Sequence, residues 1–113
     1  MVKIYHNNRC GKSREALKML EEKNIAHEVV DYMNTPVTEE ELESVLEKLD
    51  INAVDLVRTK EADWKDNFKG KELDEAEVIL AMIEYPKLME RPIIVNGENA
   101  VVARPAEKMD EIL

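Results

Sequence analysis

Apolar positions recur along the chain in two different periods, and the switch between them sets out the elements. The clearest stretch follows Thr38, where Leu42, Val45, Leu46 and Leu49 fall at i, i+3, i+4 and i+7. That spacing puts one apolar stripe on a helix. Thr38 and Glu41 form a capping-box pair at its start, each side chain offering an acceptor to a free backbone N–H. Asp74 and Glu77 repeat the signal before Val78, Ile79, Met82 and Ile83, and Pro86 stops that helix within a few residues. Ala16, Leu17 and Leu20 give an earlier helix, beginning at Ser13, its inward face. Residues 53 to 69 carry a weaker pattern, with a helical turn near Ala53 to Val57 and another near Trp64 to Phe68.

Strand-like runs punctuate these helices. Val2 to Tyr5 is a short one, and residues 27 to 32 make a second, closed by Asn34, Thr35 and Pro36. Pro92-Ile93-Ile94-Val95 and Ala100-Val101-Val102-Ala103 flank Asn96-Gly97-Glu98-Asn99, the strongest hairpin signal in the chain. Pro105 suits the first turn of a final helix with Ala106, Met109, Ile112 and Leu113 inward. The order reads β-α-β-α-α-β-β-α, an α/β chain with a mixed sheet and helices on both faces. With 113 residues, 44% apolar, and no repeat or flexible linker, residues 1–113 are expected to form a single domain.

Charge and cysteine count narrow the chemistry. A formal charge of −9 disfavours nucleic acid and anionic membranes as general partners. No apolar run approaches the ~18 residues of a membrane span, and the first residues lack a secretory apolar stretch, so a soluble, cytoplasmic protein is expected. One cysteine forms no internal disulfide, so redox chemistry at Cys10 requires a thiol from another molecule. One Cys and two distant His residues assemble no zinc site.

Cys10 lies in the loop Asn7 to Gly11, between the first strand and the first helix, with Arg9, Lys12 and Arg14 around it. A helix start offers unpaired N–H groups and the positive end of a dipole, which favour thiolate over thiol and also bind anions. His6 stands four residues before it, able to add positive charge or to donate a hydrogen bond to the sulfur, and Asn7, Asn8 and Ser13 supply neutral donors. The competing reading is a small buried cysteine with no chemistry. Arg91 and Arg104 bracket the hairpin, so antiparallel pairing brings their guanidinium groups to one end of the sheet, where two forks clamp a tetrahedral oxyanion. Arg58 is a third cation off any obvious helix face. The alternative for all three is pairing with some of the 25 acids. Pro92 is open to a cis bond, although trans is commoner at a strand start. Core or interface packing accounts better than a pocket for Trp64 and Phe68, and His27 reads as structural.

The run Ile4-Tyr5-His6-Asn7-Asn8-Arg9-Cys10-Gly11-Lys12-Ser13-Arg14, with Leu56-Val57-Arg58, Glu90-Arg91-Pro92-Ile93-Ile94-Val95 and Ala103-Arg104-Pro105, resembles the glutaredoxin-coupled arsenate reductase family over nearly the whole chain. The resemblance implies a thioredoxin-like (glutaredoxin-like) fold with a mixed four-stranded sheet flanked by helices and a helical insertion that takes in residues 53 to 69. It also implies that Cys10 attacks arsenate while Arg58, Arg91 and Arg104 hold the oxyanion. Glutathione as co-substrate then attacks the bound arsenic, glutaredoxin resolves the product, and no tightly bound cofactor is needed. Asn7, Ser13, Arg14 and Pro92 are supporting positions, and His6 tunes the thiolate. The family is related to Spx-type regulators, which bind RNA polymerase; many carry a second cysteine where this chain has Ser13. A non-catalytic binding protein, and a glutathione-linked thiol oxidoreductase without arsenate activity, are the alternatives.

Overall fold

A computed structural model describes all residues, 1–113. It divides into two compact units, Met1–Thr35 with Arg91–Leu113, and Pro36–Glu90.

The first unit is built on a four-stranded sheet in the order β2-β1-β3-β4, with β1 Val2–Tyr5, β2 His27–Val30, β3 Ile93–Asn96 and β4 Asn99–Val102. The parallel β1–β2 pair, with Val2 opposite His27, is joined through helix α1, Gly11–Glu22. A parallel pair needs such a crossover because its strand ends lie at opposite ends of the sheet. The hairpin forms as its turn residues require: Asn96 pairs with Asn99, and Gly97 takes the positive φ of 63° at the first of two loop residues.

Val2, Ile4 and Ile94 point from one sheet face into a core with Ala16 and Leu20 of α1 and with Ala103, Ala106 and Met109. Ile94 is wholly buried there. Ile94→Ala is expected to cost about 2–5 kcal/mol, from lost transfer energy and the cavity left behind. A urea-unfolding loss below ~1 kcal/mol would show that this strand is not the core element it is taken to be.

Three elements differ from the pattern-based reading. α1 starts at Gly11, two residues before Ser13, so Cys10 is its N-cap and not a mid-loop residue. β2 stops at Val30, because Asp31 and Tyr32 enter a turn. The last element is a 3₁₀ helix, Ala106–Glu111, with Pro105 at its cap, Ile112 half-buried and Leu113 exposed. Its apolar positions 106, 109 and 112 recur every three residues, the period that lines up one face of a 3₁₀ and not an α-helix.

In the second unit, α2 (Glu39–Leu49) buries Leu42, Val45 and Leu46. Thr38 Oγ1 accepts the Glu41 N–H at 3.1 Å, so the hydroxyl half of the expected cap is present. At α4 (Glu75–Glu84) both halves form between Asp74 and Glu77, at 2.8 and 3.1 Å. Between them lie a 3₁₀ turn, Ala53–Leu56, and the short helix α3, Ala62–Asn67, and a further 3₁₀ turn, Pro86–Leu88, follows α4. Trp64 packs tilted on Phe68 and Phe68 packs edge-to-face with Tyr85, at ring-centroid distances of 5.4 and 5.6 Å, the packing use expected of the first two. No helix is long and apolar enough to cross a membrane.

Candidate active site

Sheet register decides which residues meet. Tyr5, the last residue of β1, is opposite Ile93, and Ile93 is opposite Val102. The chain therefore leaves β1 toward Cys10 at the same sheet end where Arg91 and Pro92 enter β3 and Arg104 leaves β4. The hairpin half of this convergence was legible from sequence; the place of β1 beside β3 was not. The guanidinium of Arg104 reaches the Arg91 carbonyl at 3.4 Å, which ties the two arginine segments together. Both the Arg91–Pro92 and Arg104–Pro105 bonds are cis.

The loop from β1 to α1 is held by its own polar side chains. Asn7 accepts the Cys10 N–H on its carbonyl and the Arg9 N–H on Oδ1, each at 3.0 Å. Its own N–H donates to Ser13 Oγ at 3.0 Å. Arg14 donates from Nη1 to the Asn8 carbonyl at 2.9 Å, bracing the loop from the helix side. Asn7 and Arg14 are thus supports for the loop backbone. Side-chain bonds of this kind replace the ladder that a loop backbone lacks.

Cys10, half-buried, sits at the helix N-cap with an extended backbone. No acidic residue occupies the first turn to oppose a negative sulfur. Burial is the largest single influence and pushes the thiol up. It is outweighed by the Ser13 backbone N–H, the positive charge of Arg91, the Lys12 backbone N–H and a hydrogen bond from Arg91. The net direction is down, so the thiolate is favoured. The two N–H groups belong to the second and third helical residues, the same donors that an oxygen N-cap would satisfy.

Arg91 carries the feature that most needs an explanation. Its Nε and Nη1 atoms are shielded from solvent and have no hydrogen-bond partner. Buried donors are nearly always paired, and a guanidinium with two unpaired nitrogen donors beside the sulfur has the chemistry to hold the oxygens of an anion.

His6 is buried at 7% exposure, with Nδ1 2.7 Å from the Ser13 Oγ. Burial, the leading cause, and the Arg14 charge lower its pKa; the Asp31 charge and a hydrogen bond to Ser13 favour the protonated ring and work against them, and the net direction is down. The lowered pKa favours the neutral imidazole, so of the two expected contributions, added charge and hydrogen bonding, burial disfavours the first. Asp31 was not singled out from sequence. It lands near His6 because the His6 N–H bonds the Val30 carbonyl at 3.0 Å, a consequence of parallel pairing.

Arg58 belongs to the other unit. There its Nη1 pairs with the Glu61 carboxylate and also reaches the Lys87 carbonyl at 3.4 Å. It therefore has an acidic partner of its own, whereas Arg91 has none. His27 donates from Nδ1 to the Ile25 carbonyl at 2.7 Å, the structural use expected of it.

A mixed sheet with a helix-capping cysteine after β1 and a cis-proline entering β3 defines a thioredoxin-like protein with a single cysteine. The ArsC family model matches residues 5–112, and this chain belongs to the ArsC family. It is 45% identical over 114 residues to YfgD of Escherichia coli strain K12, itself uncharacterized, across 99% of this chain and 96% of that protein. To an arsenate reductase of Haemophilus influenzae it is 41% identical, across 99% of this chain and 98% of the relative. A solved structure of an arsenate reductase from Vibrio cholerae matches with a TM-score of 0.93 at 42% identity, covering 99% of this chain and 97% of that one.

Proposed function

We propose that this chain reduces arsenate to arsenite through the Cys10 thiolate, with glutathione and glutaredoxin supplying the electrons. The observation that carries the reading is the conjunction at Cys10: a sulfur driven toward thiolate, and beside it Arg91 with two buried nitrogen donors, Nε and Nη1, that pair with no group of the protein. The relatives named as arsenate reductases supply the substrate class. The lone cysteine supplies the need for outside thiols.

In this scheme Arg91 and Arg104 orient the tetrahedral oxyanion and hold its charge as the sulfur approaches. The sulfur lone pair forms an S–As bond while an As–O bond breaks, and the oxygen leaves as water. Glutathione displaces a second oxygen as water. A glutaredoxin thiol then attacks the glutathione sulfur; the S–S bond forms, the pair from the broken S–As bond stays on arsenic, and As(V) becomes As(III). Water releases Cys10 and arsenite. The sum is two thiols and arsenate giving one disulfide, arsenite and one water. Arg58, whose guanidinium pairs with Glu61 inside the second unit, takes no step in this scheme.

The test is the pH dependence of Cys10 alkylation with and without arsenate. We expect a midpoint below that of a free cysteine, and protection that depends on arsenate concentration. An ordinary midpoint with no protection would refute the reading. Arsenite formation that needs both glutathione and glutaredoxin is the second expectation; thiol exchange with a model disulfide but no arsenite would assign the site to a different substrate.

A further inference from the structure

Charge divides unevenly between the two units. Residues 36–90 hold 16 of the 25 acids against seven bases, so the whole net charge of −9 lies there. The unit that carries Cys10 has nine of each sign and is neutral. Solubility alone asks for no such division, since charge spread over both units serves it as well.

Within the acidic unit an apolar surface is left uncovered. α4 buries Val78, Ile79, Ala81 and Met82, yet Ala76, Ile79, Leu80 and Ile83 fall at i, i+3, i+4 and i+7 and make a second apolar stripe. Leu80 is 46% exposed, Ala76 is exposed and Ile83 is half-buried. A helix that is apolar on nearly all sides is suited to being covered on more than one of them. Beside the stripe, between α2 and α4, runs a groove of about 460 Å³ floored by Leu46, Ile51 and Ile79. Its rim is Glu43, Glu47 and Glu75, and no Lys or Arg lines it. An adjoining recess that shares Leu46, Glu47 and Ile51 adds Asp50 and Asp55, again without a cation. Glu75 accepts the Ala53 N–H at 3.0 Å, but Glu43 and Glu47 enter no ion pair of the chain. They stand four residues apart on α2, a like-charged spacing that costs a helix stability and that a cation laid across it relieves.

We propose that this groove docks a helix of another protein, one with an apolar stripe flanked by Lys or Arg. Its apolar face would lie on Ile79, Leu80 and Ile83 while its cations meet Glu43 and Glu47, the way short amphipathic helices enter grooves. The ten residues of α4 span ~15 Å, which matches about three turns of such a partner. The same charges disfavour other occupants. A second copy of this chain would set an acidic face against its like, and anionic lipid and nucleic acid are repelled as well. The inference depends neither on Cys10 nor on arsenate.

The probe is a synthetic, end-capped peptide of about four helical turns, with Leu along one face and Lys flanking it, titrated into isotope-labelled full-length protein. Amide shifts are expected in residues 43–51 and 75–83, with an affinity that falls as salt is added. A peptide of the same composition with its stripe scrambled, and one with every Lys replaced by Glu, should leave those amides unmoved. Leu80→Ser and Glu47→Lys, both at exposed positions, should each weaken binding at least about 10-fold and leave the Cys10 alkylation midpoint unchanged. Equal binding of the scrambled peptide, with shifts spread over the acidic surface, overturns the proposal, because it signifies charge attraction without a groove. No binding at millimolar peptide overturns it too. So does a sedimenting dimer that Leu80→Ser dissociates, which assigns the stripe to a second copy of the chain.

Discussion

Cys10→Ser is expected to reduce arsenite formation to the rate without enzyme, a loss of at least ~10³-fold, as for other enzymes deprived of their nucleophile. A serine hydroxyl stays protonated at neutral pH, and nothing at the site ionises it: His6 has its Nδ1 committed to Ser13, and its pKa is lowered by burial. The variant separates chemistry from folding. Serine is among the preferred N-cap residues, and its oxygen meets the same helical N–H groups that now act on the sulfur. Thermal stability should therefore be unchanged or slightly higher while activity disappears. Arsenite production at the wild-type rate would place the nucleophile elsewhere and end the mechanism.

Arg91→Ala should show the second largest effect, in two readouts that move together. Its guanidinium lowers the Cys10 pKa both as a charge and as a hydrogen-bond donor, so its removal shifts the alkylation midpoint to higher pH. Less thiolate is then present at neutral pH. Two buried donors disappear with it, Nε and Nη1, which is comparable to deleting an oxyanion-hole contact, and kcat/KM should fall about 10²–10³-fold. Arg91→Lys is the informative companion. It restores a positive charge, hence part of the midpoint, but not the planar fork that matches two oxygens at once, so arsenate KM stays high. An Arg91→Ala protein with an unchanged midpoint and an unchanged KM would show that the two open N–H groups have no substrate to serve.

The two variants touch one arrangement from opposite sides. Cys10 alone, at a helix start, is a common place for an inert residue. Arg91 alone is a surface cation turned inward. Together they explain each other: the guanidinium offsets the sulfur's burial, and the sulfur accounts for a positive group kept without a carboxylate in a chain with 25 acids. Arg58 shows the contrast, since Glu61 supplies its counter-charge.

Local chemistry made much of this legible in the amino-acid order. The β1 boundaries, both Thr38 and Asp74 caps, the Asn96–Asn99 hairpin and the meeting of Arg91 with Arg104 all follow from contacts between residues close in sequence, whose spacing is itself the geometry. Helix α1 and the terminal 3₁₀ element were misjudged at their ends because capping by a cysteine, and a three-residue apolar period, give weak signals beside stronger neighbours. Tertiary structure alone decided that β1 lies between β2 and β3, and that decision assembles the site. Parallel pairing of β1 with β2 put Asp31 beside His6, and antiparallel pairing of Tyr5 with Ile93 set the Cys10 loop beside Arg91. Strand order follows from burying both faces of the sheet at once, a sum over residues far apart in the chain. No local window contains it, and the same collective burial, by closing over His6, favours its neutral form.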